Sequence, residues 1–224
     1  MNSLAIDASS DYLSLAVSWQ ERVFVLHEPA GHTHAEQALP GIERLLDQAG
    51  IALRQLDVLV YGQGPGSFTG LRIACGLTQG LAFAANLPVM AIPTLDCIAA
   101  QAHGQVLVCL DARMGQVYTA AYDTLDGRRL TPITLSDPDQ VTLPDSTTGW
   151  IGAGNGFDIY HQALASRLSS QLQRCDAQLR PHAATLLHLA ASGRYPRLAA
   201  RDASLLYIRD KVALTNREQQ AARK

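Results

Sequence analysis

Between Val58 and Asn86 the chain reads VLVYGQGPGSFTGLRIACGLTQGLAFAAN, an apolar run that breaks into a glycine-rich turn and resumes as a long apolar helix. Val58, Leu59 and Val60 are consecutive aliphatics bounded by Asp57 and by glycine, the pattern of a strand covered on both faces. The turn 62–70 follows at once. Its glycines admit positive φ and close backbone approach, Pro65 fixes one φ, and Ser67 or Thr69 is placed to cap a helix from Leu71. Strand, loop and helix N-terminus in that order form a backbone cradle for an anion. The stretch lacks the lysine of an NTPase phosphate loop, and it has no G-x-G-x-x-G with a later acid. A purely steric turn and an anion site therefore both stand.

The helix itself is more telling. From Leu71 to Asn86 only Arg72, Thr78, Gln79 and Asn86 are polar, and three of these recur every seven residues on one narrow stripe. A helix so apolar must be covered on most sides. Gly76, Gly80 and Ala84 fall at four-residue spacing, a ridge of small residues that lets another helix approach closely at a cost of about 1 kcal/mol per glycine. The second helix comes from this chain or from a partner.

Upstream, residues 3–19 read as two strands joined by a turn, with Asp7 at the end of the first and Ser9, Ser10 and Asp11 in the turn; Arg22 to Glu28 adds a third strand. Thr33 opens a helix, with Glu36 as its reciprocal capping partner and Gly50 as its stop. Ala35, Ala38, Leu39, Ile42, Leu45, Leu46 and Ala49 share one face of it, and Pro40 should kink it. Pro88 to Ile92 reads as a strand and Thr94 to His103 as a short helix capped by Thr94.

The next segment repeats the first. QVLVCLDARMGQVYTAAY, from Gln105 to Tyr122, places Asp111-Ala112 104 positions after Asp7-Ala8, again between an apolar strand and an alternating one. A second glycine cluster, Gly152, Gly154 and Gly156, then corresponds to the turn at Gly62. Two matched landmarks in one order point to a duplication. Two lobes of this kind, each with a strand, acid, turn and strand followed by a glycine turn, describe the two-lobed α/β fold of actin, sugar kinases and heat-shock chaperones (ASKHA), built from RNase H-like mixed sheets with flanking helices. The expected division is 1–103 for the first lobe, completed by 203–224, and 104–202 for a smaller second lobe. Pro181 to Ser192 reads as a helix with proline at its first position and Gly193 past its end; Leu205 to Val212 is a short apolar element, and Thr215 to Lys224 a polar tail.

A formal charge of −2 gives no basic footprint, so unaided tight nucleic-acid binding is not expected, because such affinity rests on phosphate neutralisation. No apolar run has membrane-span length, and Met1 to Ser10 lacks a basic region before an apolar core; the expected location is cytoplasmic. Cys75, Cys97, Cys109 and Cys175 are scattered and read as buried reduced thiols. No two of the seven histidines are four apart, so no H-x-x-x-H metal pair exists. Asp7 and Asp111 stand where acids hold magnesium in active kinases, but with no lysine or metal pair beside them a structural role is favoured, and Arg113 reads as a salt-bridge partner of Asp111.

LAIDASS at 4–10, HTHAEQALP at 32–40, GQGPGSFTGLRI at 62–73, LDARMGQVY at 110–118 and LLYIRDKVA at 205–213 resemble the TsaB (YeaZ) family, the non-catalytic partners in bacterial threonylcarbamoyladenosine synthesis on tRNA. The likeness covers nearly the whole chain, with Ala8 where the family often has Thr and Leu214 where Trp is common. It implies a pseudo-enzyme that docks the homologous catalytic subunit TsaD as a heterodimer, through Leu39, Ile42 and Leu46 of the first helix and Ile73, Gly76, Leu77, Gly80 and Ala84 of the second. It further implies TsaE as another member of an ATP-dependent complex, tRNA contact only through that complex, and a homodimer when the chain is alone. A vestigial nucleotide site would lie at Asp7, Ser9, Ser10, Gly64, Gly66, Ser67, Asp111, Gly154 and Gly156, with no intrinsic cofactor and at most weak ATP or ADP and magnesium at the cleft or the partner interface. The rival readings are a phosphotransferase of the acetate or sugar kinase type and a glycoprotease-like hydrolase.

Overall fold

The computed structural model describes residues 1–146 and 148–209. β1 (Ser3–Asp7), β2 (Tyr12–Trp19) and β3 (Arg22–Pro29) form an antiparallel meander, and β4 (Val58–Gly64) and β5 (Val89–Pro93) add to β1 in parallel, giving the order β3-β2-β1-β4-β5. Alternation along the strands divides their side chains between two cores. Leu4, Ile6, Leu59 and Tyr61 face α1 (His34–Ala49) and α2 (Phe68–Ala85), whereas Ala5, Ala16, Val58 and Val60 face the opposite side.

The second sheet repeats the plan. β6 (Gln105–Asp111) and β7 (Val117–Asp123) are antiparallel, β8 (Arg128–Arg129) and β9 (Thr134–Ser136) pair with β7, and β10 (Trp150–Ala153) and β11 (Leu172–Asp176) run parallel to β6, in the order β11-β10-β6-β7-β8. β6 therefore takes the place of β1 and β10 that of β4, which is the duplication expected from the two acids and two glycine turns. α4 (Gly156–Ile159), α5 (His161–Leu168) and edge strand β11 fill a region without sequence landmarks. α3 (Thr94–Ala99) is shared: Cys97 joins the first lobe's core, while Leu95, Ile98 and Ala99 join the second's.

Several boundaries differ from expectation. α2 begins at Phe68 rather than Leu71, because Ser67 already caps it, its Oγ accepting from the Gly70 amide at 3.3 Å. The capping box of α1 is not formed: the Thr33 hydroxyl donates to the Ala30 carbonyl (2.8 Å) and accepts from Gln37 (2.7 Å), closing the preceding turn instead. Gly50 does end α1, at φ +69°, and the helix continues through Pro40. α3 stops at Ala99 with Pro93 at its cap, since Thr94 turns its hydroxyl toward Ser9 (3.5 Å).

α6 (Ala183–Ala191) is capped by His182, whose Nδ1 accepts from the Ala184 amide at 3.2 Å, so Pro181 lies outside the helix. α6 also belongs to the other lobe. Leu186, Leu187 and Ala190 cover the face of the first sheet lined by Ala5, Ala16, Val58 and Val60, so chain expected in the second lobe returns to the first at residue 183. A sheet apolar on both faces needs a helix layer on each, and α1 and α2 supply only one.

Leu198 bridges to Val89, and the segment beyond crosses the first lobe: the Tyr61 hydroxyl donates to the Ser204 carbonyl and accepts its amide, both at 2.8 Å, and the Leu206 amide donates to the Gln63 carbonyl at 2.9 Å. Of the apolar element expected at Leu205 to Val212, residues 205–209 form no regular structure; 210–212 and the tail from Thr215 lie outside the described residues. Cys75, Cys97 and Cys109 are buried free thiols, but Cys175 is exposed, because β11 is an edge strand. No helix among the described residues is long and apolar enough to cross a membrane.

Candidate functional site

Each lobe places its acid where its first strand ends, at Asp7 after β1 and Asp111 after β6, and its glycine turn at the end of the strand that pairs parallel to that first strand, β4 and β10. In the first lobe the two features are packed against each other. Asp7 is wholly buried; its Oδ1 accepts from the Ser9 amide (2.9 Å) and hydroxyl (2.8 Å), and its Oδ2 lies without a partner beneath Gly62. Burial pushes the carboxyl up to about 6, more strongly than the two bonds from Ser9 draw it down. Ser10 accepts from the Tyr12 amide at 3.1 Å and closes the turn.

The glycine turn then seals this corner. The Ser67 amide donates to the Ser9 carbonyl at 2.8 Å, a β-carbon on Gly66 would stand 2.6 Å from that same oxygen, and one on Gly70 would overlap the Ala8 carbonyl. Gly64, at φ +109°, passes beneath Leu71 and the Leu206 carbonyl. The steric reading of the turn thus has a specific object: α2 begins in backbone contact with the Asp7–Ser10 turn.

The second lobe follows suit. Asp111, its side chain 6% exposed, accepts from the Arg113 amide and the Tyr160 hydroxyl at 2.8 Å and pairs with the Arg113 guanidinium at 3.3 Å, while its own amide donates to Asn155 at 3.0 Å. The Gly154 amide donates to the Asp176 carbonyl at 3.0 Å, and a β-carbon on Gly154 or Gly156 would press on the carbonyl of Cys109. Arg113 is the salt-bridge partner that the sequence suggested. A nucleotide's phosphates, or a magnesium ion, fit neither turn well as folded: the Ser67 and Gly154 amides are engaged, and Asp7 presents no oxygen at the surface. Among the described residues no three metal-ligating side chains come together.

The accessible feature is instead a helix face. Gly76, Gly80 and Ala84 of α2 are exposed, with open space above both glycines; Phe83 beside them is 84% exposed and Leu39 of α1 42%. Ile73, Leu77 and Leu46 are partly covered. Ile42 points into the core at 1% exposure and presents nothing to a partner, because α1 turns its Ile42 and Leu45 side onto β2. The polar stripe of α2 is used within the chain: Gln79 donates to the Ala200 and Ala203 carbonyls, both at 3.3 Å, and Asn86 ends the helix.

Residues 25–191 match the family model described as TsaD: tRNA N6-adenosine threonylcarbamoyltransferase. The tRNA threonylcarbamoyladenosine biosynthesis protein TsaB of Haemophilus influenzae is 30% identical over 93% of this chain and 94% of its own length. The Escherichia coli protein of the same name is 31% identical over 95% and 96%. This chain belongs to the TsaB (YeaZ) family. The solved structure of YeaZ from Pseudomonas aeruginosa superposes with a TM-score of 0.84 at 36% identity, covering 92% of this chain and 99% of that one. The fold is accordingly the two-lobed ASKHA type.

The first lobe was expected to be completed from residue 203; the bonds that the backbone of 198–206 makes to Val89, Tyr61, Gln63 and Gln79 carry no mark in the sequence of that segment. The one signal was the polar stripe of α2, where Gln79 marks the line of the crossing segment.

Proposed function

We propose that this chain is the non-catalytic accessory subunit of the machinery that places threonylcarbamoyl on adenosine in tRNA, and that it docks a TsaD-type catalytic subunit through the outer face of α2 and the adjoining edge of α1. The observation that carries this is the ridge Gly76, Gly80, Ala84, open to solvent beside an 84% exposed Phe83. Glycine inside a helix costs about 1 kcal/mol, and among the described residues nothing lies within 4 Å of where a side chain on either would begin, so their benefit is close approach by another helix. A homologous partner presents equivalent helices, which makes the contact pseudo-two-fold, and a second copy of this chain takes its place when the partner is absent. The absence of catalysis in this reading rests on Asp7 and Asp111, both spent on their own turns. ATP or ADP with magnesium binds weakly at best in the cleft, and the ATP-dependent step belongs to a TsaE-type subunit of the complex.

The ridge provides a test in which stability and binding move apart. Gly80→Ala should stabilise the isolated chain by about 0.5–1 kcal/mol through helix propensity. Gly80→Leu should leave the chain folded yet weaken its co-sedimentation with the TsaD-type subunit of the same organism by about tenfold or more. Transfer of threonylcarbamoyl to tRNA should require the mixture. Transfer by this chain alone would defeat the non-catalytic reading, and an unaltered complex with Gly80→Leu would put the interface elsewhere.

A further inference from the structure

The chain-wide charge of −2 conceals a local group of cations beside the mouth between the two turns. Phe68, the first residue of α2, is 51% exposed, and Arg72 lays its guanidinium over that ring, 3.2 Å from the centroid and 5.5 Å from the ring of Tyr207. Two residues beyond Tyr207, Arg209 donates to the Ala112 and Arg113 carbonyls at 3.1 and 3.4 Å and lies 3.4 Å from the Met114 sulfur. Arg113 and Met114 themselves project from the β6–β7 turn, the first with its side chain 87% exposed and the second 59% exposed as a residue. Three segments distant in sequence thus bring three guanidiniums together with Phe68, Tyr207 and Met114, all three more than half exposed.

The composition of this rim restricts what can bind it. Among the described residues, the only carboxylate within ion-pair distance of the three arginines is Asp111, which is already held by Arg113 and Tyr160. Guanidiniums offer paired donors that match phosphate, and an aromatic face offers a stacking surface to any base. A duplex would give the arginines phosphates but leave the rings unused; an acidic peptide would do the same with carboxylates.

We propose that this rim is a contact site for single-stranded nucleic acid, with an unstacked base against Phe68 or Tyr207 and neighbouring phosphates on Arg72, Arg113 and Arg209. The site begins at the N-terminal end of α2, with Arg72 one turn before Gly76 and about three before Ala84 of the docking face proposed above. Three phosphate contacts are few, so the affinity is modest, with a dissociation constant on the order of 10⁻⁴ M, in keeping with the absence of a chain-wide basic footprint.

The test is a fluorescence anisotropy titration of the full chain with a short labelled single-stranded RNA, the matching DNA, a duplex and polyglutamate. Single strands should bind best, with log affinity falling against log salt at a slope of about −2 for three phosphates. Replacing all three arginines by alanine should weaken binding about tenfold or more and flatten that slope. The pair Phe68→Ala and Tyr207→Ala should weaken it about fivefold or more with the slope kept. Binding of RNA and DNA alike supports the site, and a preference for RNA assigns its ligand. No binding by the wild-type chain, equal binding of duplex or polyglutamate, or folded variants that bind as the wild type does would each overturn the proposal. Ultraviolet crosslinking of the wild-type chain gives a second reading that needs no variant: adducts should map to the peptides containing Phe68 or Tyr207, and adducts confined elsewhere would overturn it.

Discussion

Asp7 is a carboxyl group given away to architecture. In an active member of a kinase-like fold an acid at this strand end faces the cleft, but here it is enclosed by Ser9 and Gly62, and burial holds its proton on up to about pH 6. The folded-state pKa stands above the ordinary 3.8, so the stabilisation is complete below that value and is lost as pH rises through 6. Asp7→Asn should remove this dependence. Relative to the wild type, the variant should gain on the order of 3 kcal/mol between about pH 4 and pH 7.5, from two pH units at about 1.4 kcal/mol each. Urea unfolding at the two pH values measures it, and a constant difference between the two proteins would show that Asp7 is ionised in the fold. The glycines around it follow the same logic, since at Gly66 and Gly70 a neighbouring carbonyl occupies the space of a side chain.

At the scale of elements, the two helices that flank the first sheet are secured differently. α2 is fixed at its start by backbone contact and leaves its outer face open. α6 is fixed by a polar anchor: the Ala183 amide donates to buried Ser14 Oγ at 2.8 Å, Ser14 pairs with His27 Nδ1 at 2.9 Å, and the His27 ring lies 4.5 Å from His182 and 4.7 Å from Tyr12. Burial lowers the pKa of both histidines, and the His182 charge lowers that of His27 further, against a smaller opposing pull from Asp11, itself bonded to Arg180 at 3.3 Å. Depressed histidines contribute stability that is present above about 6.5 and lost as pH falls through their folded values. Protonated His182 could no longer accept the Ala184 amide. Hydrogen exchange, corrected for intrinsic rates, should therefore show protection of Leu186 to Ala190 falling faster than that of α2 as pH drops from about 7 to about 5.5. Equal losses in both helices would remove the anchor from the explanation.

Across the whole molecule, two sheets of one topology are joined by α3, which lends side chains to both cores, and by residues 198–209, which run from β5 past Tyr61 to the tip of the β6–β7 turn. Burial pushes the Tyr61 phenol up to about 12, so it stays protonated and makes both bonds to Ser204. Tyr61→Phe forfeits that donor and acceptor, at a cost of about 1–3 kcal/mol for the groups left unpaired. The loss should fall on the crossing segment. Brief trypsin treatment should cleave after Arg201 faster in the variant, while the two sheets keep their cooperative thermal transition. An unchanged cleavage rate would mean that the Gln79 and Leu206 bonds suffice to hold the segment.

The repeated order of apolar strand, acid, turn and alternating strand was legible in the residues alone, because periodicity and glycine placement are local properties, and it determined the duplicated α/β plan and the family. The ridge on α2 was legible too, as glycines that a helix has no use for. Tertiary structure alone decided what those features face. Whether a glycine turn cradles an anion or a neighbouring carbonyl depends on what lies opposite, and residues 62–70 lie against Ser9 only once β4 has paired with β1. Ile42 and Leu39 carry the same apolar signal, yet the rotation of α1 on the sheet buries one and exposes the other. The assignment of α6 to the first lobe was likewise beyond the sequence; it follows from a sheet with two apolar faces needing a second helix layer. That the segment from residue 203 completes the first lobe was an expectation of the sequence, but its course past Tyr61 and Gln63 rests on hydrogen bonds made largely by main-chain groups, which every residue carries and no sequence pattern marks.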